Sequence, residues 1–260
     1  MPLLPLTRRH PLIVDVGANI GLFAMWAMRK WPGAQVVCFE PLPPILAVLR
    51  RNLQEALESK CINTVGKKPV AEPVIVPSAL GSVQNVCSDA IFEYCHIVPG
   101  EATRHFEEVA KQRKVLKQAA EAAGLVLPQH LSGDEPANLQ HFRCPVRTLS
   151  SALDNLAHGS GKDWCAKTLA SEDRIIDLLK IDAEGDEENV LRGISDDDWS
   201  RLKHIVVEVH DVSGRLHRIL EILKRKGMTE IKVSQQKPSV HANFLTFVPK
   251  ALQLFHVRAT

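Results

Sequence analysis

Two short segments carry the residues most able to do chemistry. The first is Val14-Asp15-Val16-Gly17-Ala18-Asn19-Ile20-Gly21, a D-x-G-x-x-x-G turn, with Glu40 about one strand further on. Glycines in such a turn let a ligand approach the backbone, and the amides of a following helix favour an anionic group. An acid about 20 residues after the turn is placed to accept a pair of ribose hydroxyls. A dinucleotide site would show G-x-G-x-x-G, but Asn19 stands two residues after Gly17, and Asp15 would sit poorly beside two phosphates. S-adenosylmethionine suits the set better. Its ammonium and sulfonium cations favour a carboxylate, and its own carboxylate favours the amides. Asp15, Gly17, Asn19, Gly21 and Glu40 are therefore its candidate ligands. Glu40 taken alone would suit NAD equally.

The second segment supplies acids and a histidine: Lys180-Ile181-Asp182-Ala183-Glu184, then Glu208-Val209-His210-Asp211. Methyl transfer is an in-line displacement at an activated carbon. The protein has only to align the acceptor and, where needed, take its proton. Asp182, Glu184 and His210 are the candidate catalytic residues, with His210 as general base because an imidazole titrates nearest neutral pH. Asp182 would also face the cofactor's cations. Glu208 shares strand parity with His210 and would orient it, and Lys180 shares parity with Asp182 and would offset the acids. His96, His105 and His241 are rival bases. A divalent cation on Asp182, Glu184 and Asp211 is the alternative use of the acids, but a helix-start dipole explains them as well, so no metal is expected.

These segments need strands to end on. Leu12–Val16 reads as a strand, and Ile20 to Met28 switches to helical spacing. Val36–Phe39 is a second strand, Pro44–Leu57 a helix, and Pro73–Val76 a weaker third strand. The βαβαβ order implies a parallel sheet. The rhythm breaks from about Phe92 to Asn138. Glu101–Ala123 there reads as an amphipathic helix, so a helical lid is expected at about 92–138. The basic run Lys111–Lys117 on it is a solvated face, or a contact for an acidic acceptor or a carrier-bound arm. The alternation resumes with Ile175–Ile181, a helix after Gly185, a strand at His204–Val209, and a helix over Gly214–Lys226. Ile231–Val233 and Phe244–Val248 are expected to pair as a hairpin.

The whole resembles the opening of class I methyltransferases at Ile13–Phe23 and Cys38–Pro41. The run Asp177-Leu-Leu-Lys-Ile-Asp-Ala-Glu-Gly-Asp-Glu-Glu-Asn-Val-Leu-Arg-Gly193 is similar to the D-x-x-K-I-D-V-E-G-x-E-x-x-V-L-x-G block of the FkbM-type family. Val206–His210, Pro77–Gly81 and Val146–Ser150 extend the likeness from residue 12 to about 248. The resemblance implies a Rossmann-like α/β class I methyltransferase fold, a mostly parallel seven-stranded sheet with a helical insertion. It implies one methyltransferase domain over residues 1–260, S-adenosylmethionine as cofactor, and Ser78 and Ala79 as further cofactor contacts. It also implies O-methylation of a small-molecule hydroxyl, free or carrier-bound. Family members carry helices before the first strand, so an N-terminal cover is expected elsewhere, or the chain is an excised domain.

Composition is consistent with this. Hydrophobic residues make up 45%, and 32 Lys+Arg against 30 Asp+Glu give a net charge of +2, without the basic excess of a nucleic-acid surface. Six cysteines occur without a CxxC pair, so structural zinc is not expected. Met1–Leu12 is too short and too proline-interrupted for a span or signal peptide, so no membrane span and a cytoplasmic location are expected. A dinucleotide oxidoreductase and a non-catalytic methyltransferase-like binding module are the competing readings.

Overall fold

The computed structural model describes residues 6–59, 71–95, 104–105, 114, 117–118, 121, 139–159, 163–171, 174–235 and 254–260. The strands are β1 Leu12–Val16, β2 Gln35–Phe39, β3 Val74–Val76, β4 Ala79–Leu80, β5 Cys87–Cys95, β6 Leu139–Arg147, β7 Leu178–Ile181, β8 Ile205–His210, β9 Lys232–Gln235 and β10 Leu254–Ala259. The larger sheet has seven strands in the order β3-β2-β1-β7-β8-β10-β9. Only β10 runs antiparallel to its neighbours, β8 and β9. All five residues of β1 are buried, as expected of a parallel strand covered on both faces.

The helices are α1 Leu22–Lys30, α2 Pro43–Glu58, α3 Leu149–His158, α4 Asp163–Leu169, α5 Glu187–Arg192, α6 Asp196–Arg201 and α7 Arg215–Arg225. Their periodicity decides the layers. Ala24, Ala27 and Met28 of α1 and Leu46, Leu49 and Leu53 of α2 pack on Ile13, Val36, Cys38 and Leu178. The alternate strand residues, Val14, Val37, Leu179 and Val207, face Leu149, Leu153, Trp199, Ile219 and Leu223 on the other side. Local chemistry starts the helices. Prolines open α2, where a missing amide costs nothing. The Thr148 and Ser195 hydroxyls accept the Ser151 and Asp198 amides ahead of α3 and α6.

Chain order leaves β1 toward β2 and β3 on one side, then returns to place β7 on the other. Such a reversal opens a crevice at the C-terminal strand ends.

Two expectations change here. Phe92 does not begin a helical insertion. It lies in β5, which pairs antiparallel with β6 through Phe92↔Phe142 and Tyr94↔Gln140, in a three-stranded sheet of order β4-β6-β5. Phe92 and Tyr94 pack on Leu42 and Ile45 near the start of α2, while Ser88, Asp89 and Glu93 interrupt any apolar run. The strand is buried on one side only, which hid it. The expected helix over Glu101–Ala123 lies mostly outside the described residues, though Lys114, Lys117, Gln118 and Glu121 are helical. Likewise, the strand that pairs with β9 is Leu254–Ala259, and the expected Phe244–Val248 lies outside the described residues. No helix among the described residues is long and apolar enough to cross a membrane.

Candidate active site

The glycine turn is pinned to the end of β2. The Gly17 and Ala18 amides both donate to the Phe39 carbonyl at 3.0 Å. The Asn19 amide donates to Glu40 Oε2, and the Leu42 amide to Glu40 Oε1, both at 3.0 Å. Gly17 adopts φ +69°, and a Cβ there would lie 1.8 Å from the Asp182 carbonyl oxygen. The requirement for glycine therefore comes from the approach of β7's end to the turn. Asn19, at φ +49°, caps the next step by accepting the Ile20 amide on its side-chain oxygen at 2.7 Å. Gly21, at φ +90°, lets α1 close on Leu49 of α2.

A cleft opens at these strand ends. Gly17, Asn19, Glu40, Ser78, Ala79, Asp182 and Glu184 line it, with Leu42, Ile45 and Phe92 as an apolar wall. Ser78 is buried and its hydroxyl has no hydrogen-bond partner among the described residues. Burial pushes the Glu40 carboxyl up, against the lowering by the Leu42 and Asn19 amides, to about 7. The site thus holds an acid near half-ionisation at neutral pH.

Asp15 stands apart from the cleft lining. It is fully buried, and its carboxylate pairs with Lys180 Nζ at 3.1 Å. Lys180 also donates to the Gly17 carbonyl at 2.8 Å and lies 3.5 Å from Asp182 Oδ2. One ammonium therefore ties the turn, a buried acid and a cleft acid together.

Behind Glu184 lies His210. Its Nε2 is 3.2 Å from Glu184 Oε2 and its Nδ1 is 3.2 Å from Glu187 Oε1. Burial would lower its pKa, but the Glu187 hydrogen bond and the charges of Glu184, Glu187 and Asp182 raise it to about 9. The expectation of an imidazole that is neutral near pH 7 is therefore corrected: two carboxylates keep it an imidazolium. The partner on its Nδ1 is Glu187, from a different element than Glu208. Glu187 is fully buried and also accepts the Gly185 amide at 2.8 Å. In sequence it reads as an ordinary first-turn acid. Its burial depends on β8 and α7 converging on it, which no local pattern reveals. Glu184 itself adopts φ +46°, a left-handed conformation costly for a residue with a Cβ.

Asp186 also reaches the cleft lining. Arg104 donates to it through two nitrogens, one at 2.6 Å, and His105 Nε2 lies 3.0 Å away. Burial opposes ionisation there, but Arg104 and His105 hold this carboxyl far below the usual range. Asp211 accepts the Leu216 amide at 2.9 Å. Among the described residues no three His, Cys, Asp or Glu side chains group as metal ligands. Of the rival bases, His105 is the Asp186 partner, and His96 and His241 lie outside the described residues.

The sheet order with its one reversed strand, and an acid at the end of β2 facing the glycine turn, define a Rossmann-like class I methyltransferase fold. The profile described as Methyltransferase FkbM domain matches residues 15–229, and the chain belongs to that family. It is 29% identical over 226 residues to Methyltransferase sdnD of Sordaria araneosa, spanning 84% of this chain and 73% of that one. It is 29% identical over 239 residues to the 31-O-demethyl-FK506 methyltransferase FkbM of Streptomyces tacrolimicus, spanning 89% and 76%. A third relative, the AMB antimetabolite synthetase AmbE of Pseudomonas aeruginosa, is 27% identical over 240 residues, spanning 86% of this chain and 10% of the synthetase.

Proposed function

We propose that this methyltransferase-family chain uses S-adenosylmethionine to methylate a hydroxyl oxygen. The carrying observation is Glu40: a buried acid at the end of β2 that holds the Asn19 amide while facing the cleft. Its remaining lone pairs suit two ribose hydroxyls, whose donation would favour the ionised form that burial disfavours. The unpartnered Ser78 hydroxyl, beside Ala79 and the apolar wall, suits the polar edge of an adenine. Asp182 supplies the carboxylate for the cofactor's cations, with Gly17, Asn19 and Gly21 shaping the turn beneath it. Asp15 contributes through Lys180. Bound S-adenosylmethionine supplies an electrophilic methyl group.

The chain's own residues then handle the acceptor. Glu184 lines the cleft and is the group to take the hydroxyl proton. His210, as the imidazolium 3.2 Å behind it, positions that carboxylate. Arg104 and His105, which hold Asp186 at the cleft edge, are placed to meet the acceptor. One relative is named for 31-O-demethyl-FK506, which supports an oxygen acceptor. The test is a panel of hydroxylated small molecules, free and carrier-bound, read by mass for a gain of one methyl group. The proposal predicts gain on an oxygen. Gain on nitrogen or carbon only would overturn the oxygen assignment.

A further inference from the structure

Asp15 and Lys180 are in-register neighbours on β1 and β7. Asp15 is fully buried and lies outside the cleft lining, yet it carries a carboxylate 3.1 Å from the Lys180 ammonium. The same ammonium is 3.5 Å from Asp182, whose side chain is 29% exposed and lines the cleft. We infer that Lys180 divides its charge between Asp15 and Asp182, and that this division sets how strongly the cleft prefers a sulfonium donor over its neutral thioether product. The inference rests on the S-adenosylmethionine reading of the cleft.

Burial pushes the Asp15 carboxyl up and the Lys180 ammonium pulls it down; with both carboxylates ionised around one ammonium the group carries one net negative charge, and only Asp182 brings it to the cleft. Lys180 has no freedom to leave: it also donates to the Gly17 carbonyl at 2.8 Å and sits over the Phe23 ring, 5.8 Å from its centroid. Burial works against the ammonium, but the two carboxylates hold its proton and raise its pKa. S-adenosylmethionine and S-adenosylhomocysteine differ at sulfur by one methyl group and one positive charge. A net charge near that sulfur separates their affinities, and in a partly buried site the separation is not screened away by salt. Asp15 thus acts on the cleft without touching it. Were Asp15 neutral, Lys180 would offset Asp182 alone and this group would bring no net charge to the cleft.

The test is calorimetric titration of the full chain with each ligand, giving the affinity ratio of S-adenosylmethionine to S-adenosylhomocysteine. Asp15→Asn is isosteric and still accepts from Lys180. It should lower the ratio about fivefold or more, in step with Asp182→Asn, while affinity for the neutral product changes by less than about twofold. Lys180→Arg should leave the ratio near wild type. Asp15→Ser, smaller and neutral, carries the same expectation if the asparagine variant does not fold. A ratio unchanged in folded Asp15 variants but lowered in Asp182→Asn overturns this inference and leaves the cofactor reading standing. A wild-type chain that binds neither ligand removes both.

Discussion

Buried and holding two backbone amides, the Glu40 carboxyl links cofactor binding to pH. Its pKa is raised from 4.5 to about 7, so between those values the folded chain keeps a proton the unfolded chain has lost. Stability therefore falls as pH rises through that window, and ligand hydroxyls that donate to the carboxylate reverse the penalty. S-adenosylmethionine affinity should rise with pH up to about 7 and then level off, with proton release on binding near neutrality. Calorimetry in buffers of different ionisation enthalpy reads the proton directly. Glu40→Gln should abolish the release and weaken binding by about 1.5–3 kcal/mol. It should also soften the glycine turn, because the Asn19 and Leu42 amides depend on this side chain. Proton release that persists in Glu40→Gln would assign it to another group.

His210 shares that sign in a higher window. Its pKa is raised from 6.5 to about 9, so its contribution to stability is fully present below 6.5 and is lost as pH rises through about 9. The melting-temperature gap between wild type and His210→Gln should be widest in mildly acidic buffer and close in alkaline buffer. With Glu184 as proton acceptor, Glu184→Gln should cut turnover about 10²-fold or more while product affinity stays within a few-fold. Turnover should not climb between pH 6 and 8, and a tenfold climb per pH unit there would return the base role to His210.

At the scale of elements, the cleft has two kinds of wall. Strand ends and the glycine turn form the fixed one, held between the apolar layers on the two faces of the sheet. The other is Phe92 of β5 with Leu42 and Ile45, and near it Arg104 and His105 are fastened to Asp186, the residue ahead of α5. A charge-assisted fork of this kind fixes direction as well as distance. Gly185 belongs to the fastening: at φ +108° it leaves room for the His105 ring, which a Cβ would approach to 3.0 Å. Arg104→Gln should therefore raise the acceptor KM several-fold and leave S-adenosylhomocysteine affinity within about twofold, because Asp186 loses a partner while Glu40 and the turn keep theirs. An equal loss for both ligands would make the fastening a general support of the cleft.

Across the whole molecule, what was legible in the sequence is what local patterns encode. Leu12–Val16, the Gly17 turn and the Lys180-Ile181-Asp182 strand end were readable because buried parallel strands are near-continuous apolar runs that stop at glycine or acid. Glu40 was readable from spacing alone. The β5–β6 pair was not, since Phe92 and Tyr94 are buried on a strand whose apolar Ile91 stays exposed, so no clean alternation marks it. Nor were the partners that only tertiary structure supplies. Asp15 reads as a ligand contact until Lys180 is seen across the β1–β7 ladder, and Glu187 reads as a helix-start acid until His210 and Arg215 converge on it. The glycine at 17 was legible, but its cause, the Asp182 backbone, was not.

The central claim, that this cleft is built for S-adenosylmethionine, is tested most directly by titrating the chain with S-adenosylmethionine, S-adenosylhomocysteine and NAD under one set of conditions. The account predicts saturable binding of the first two, lost or weakened in Glu40→Gln, and no binding of NAD. Binding of NAD with no response to either sulfur ligand would contradict it.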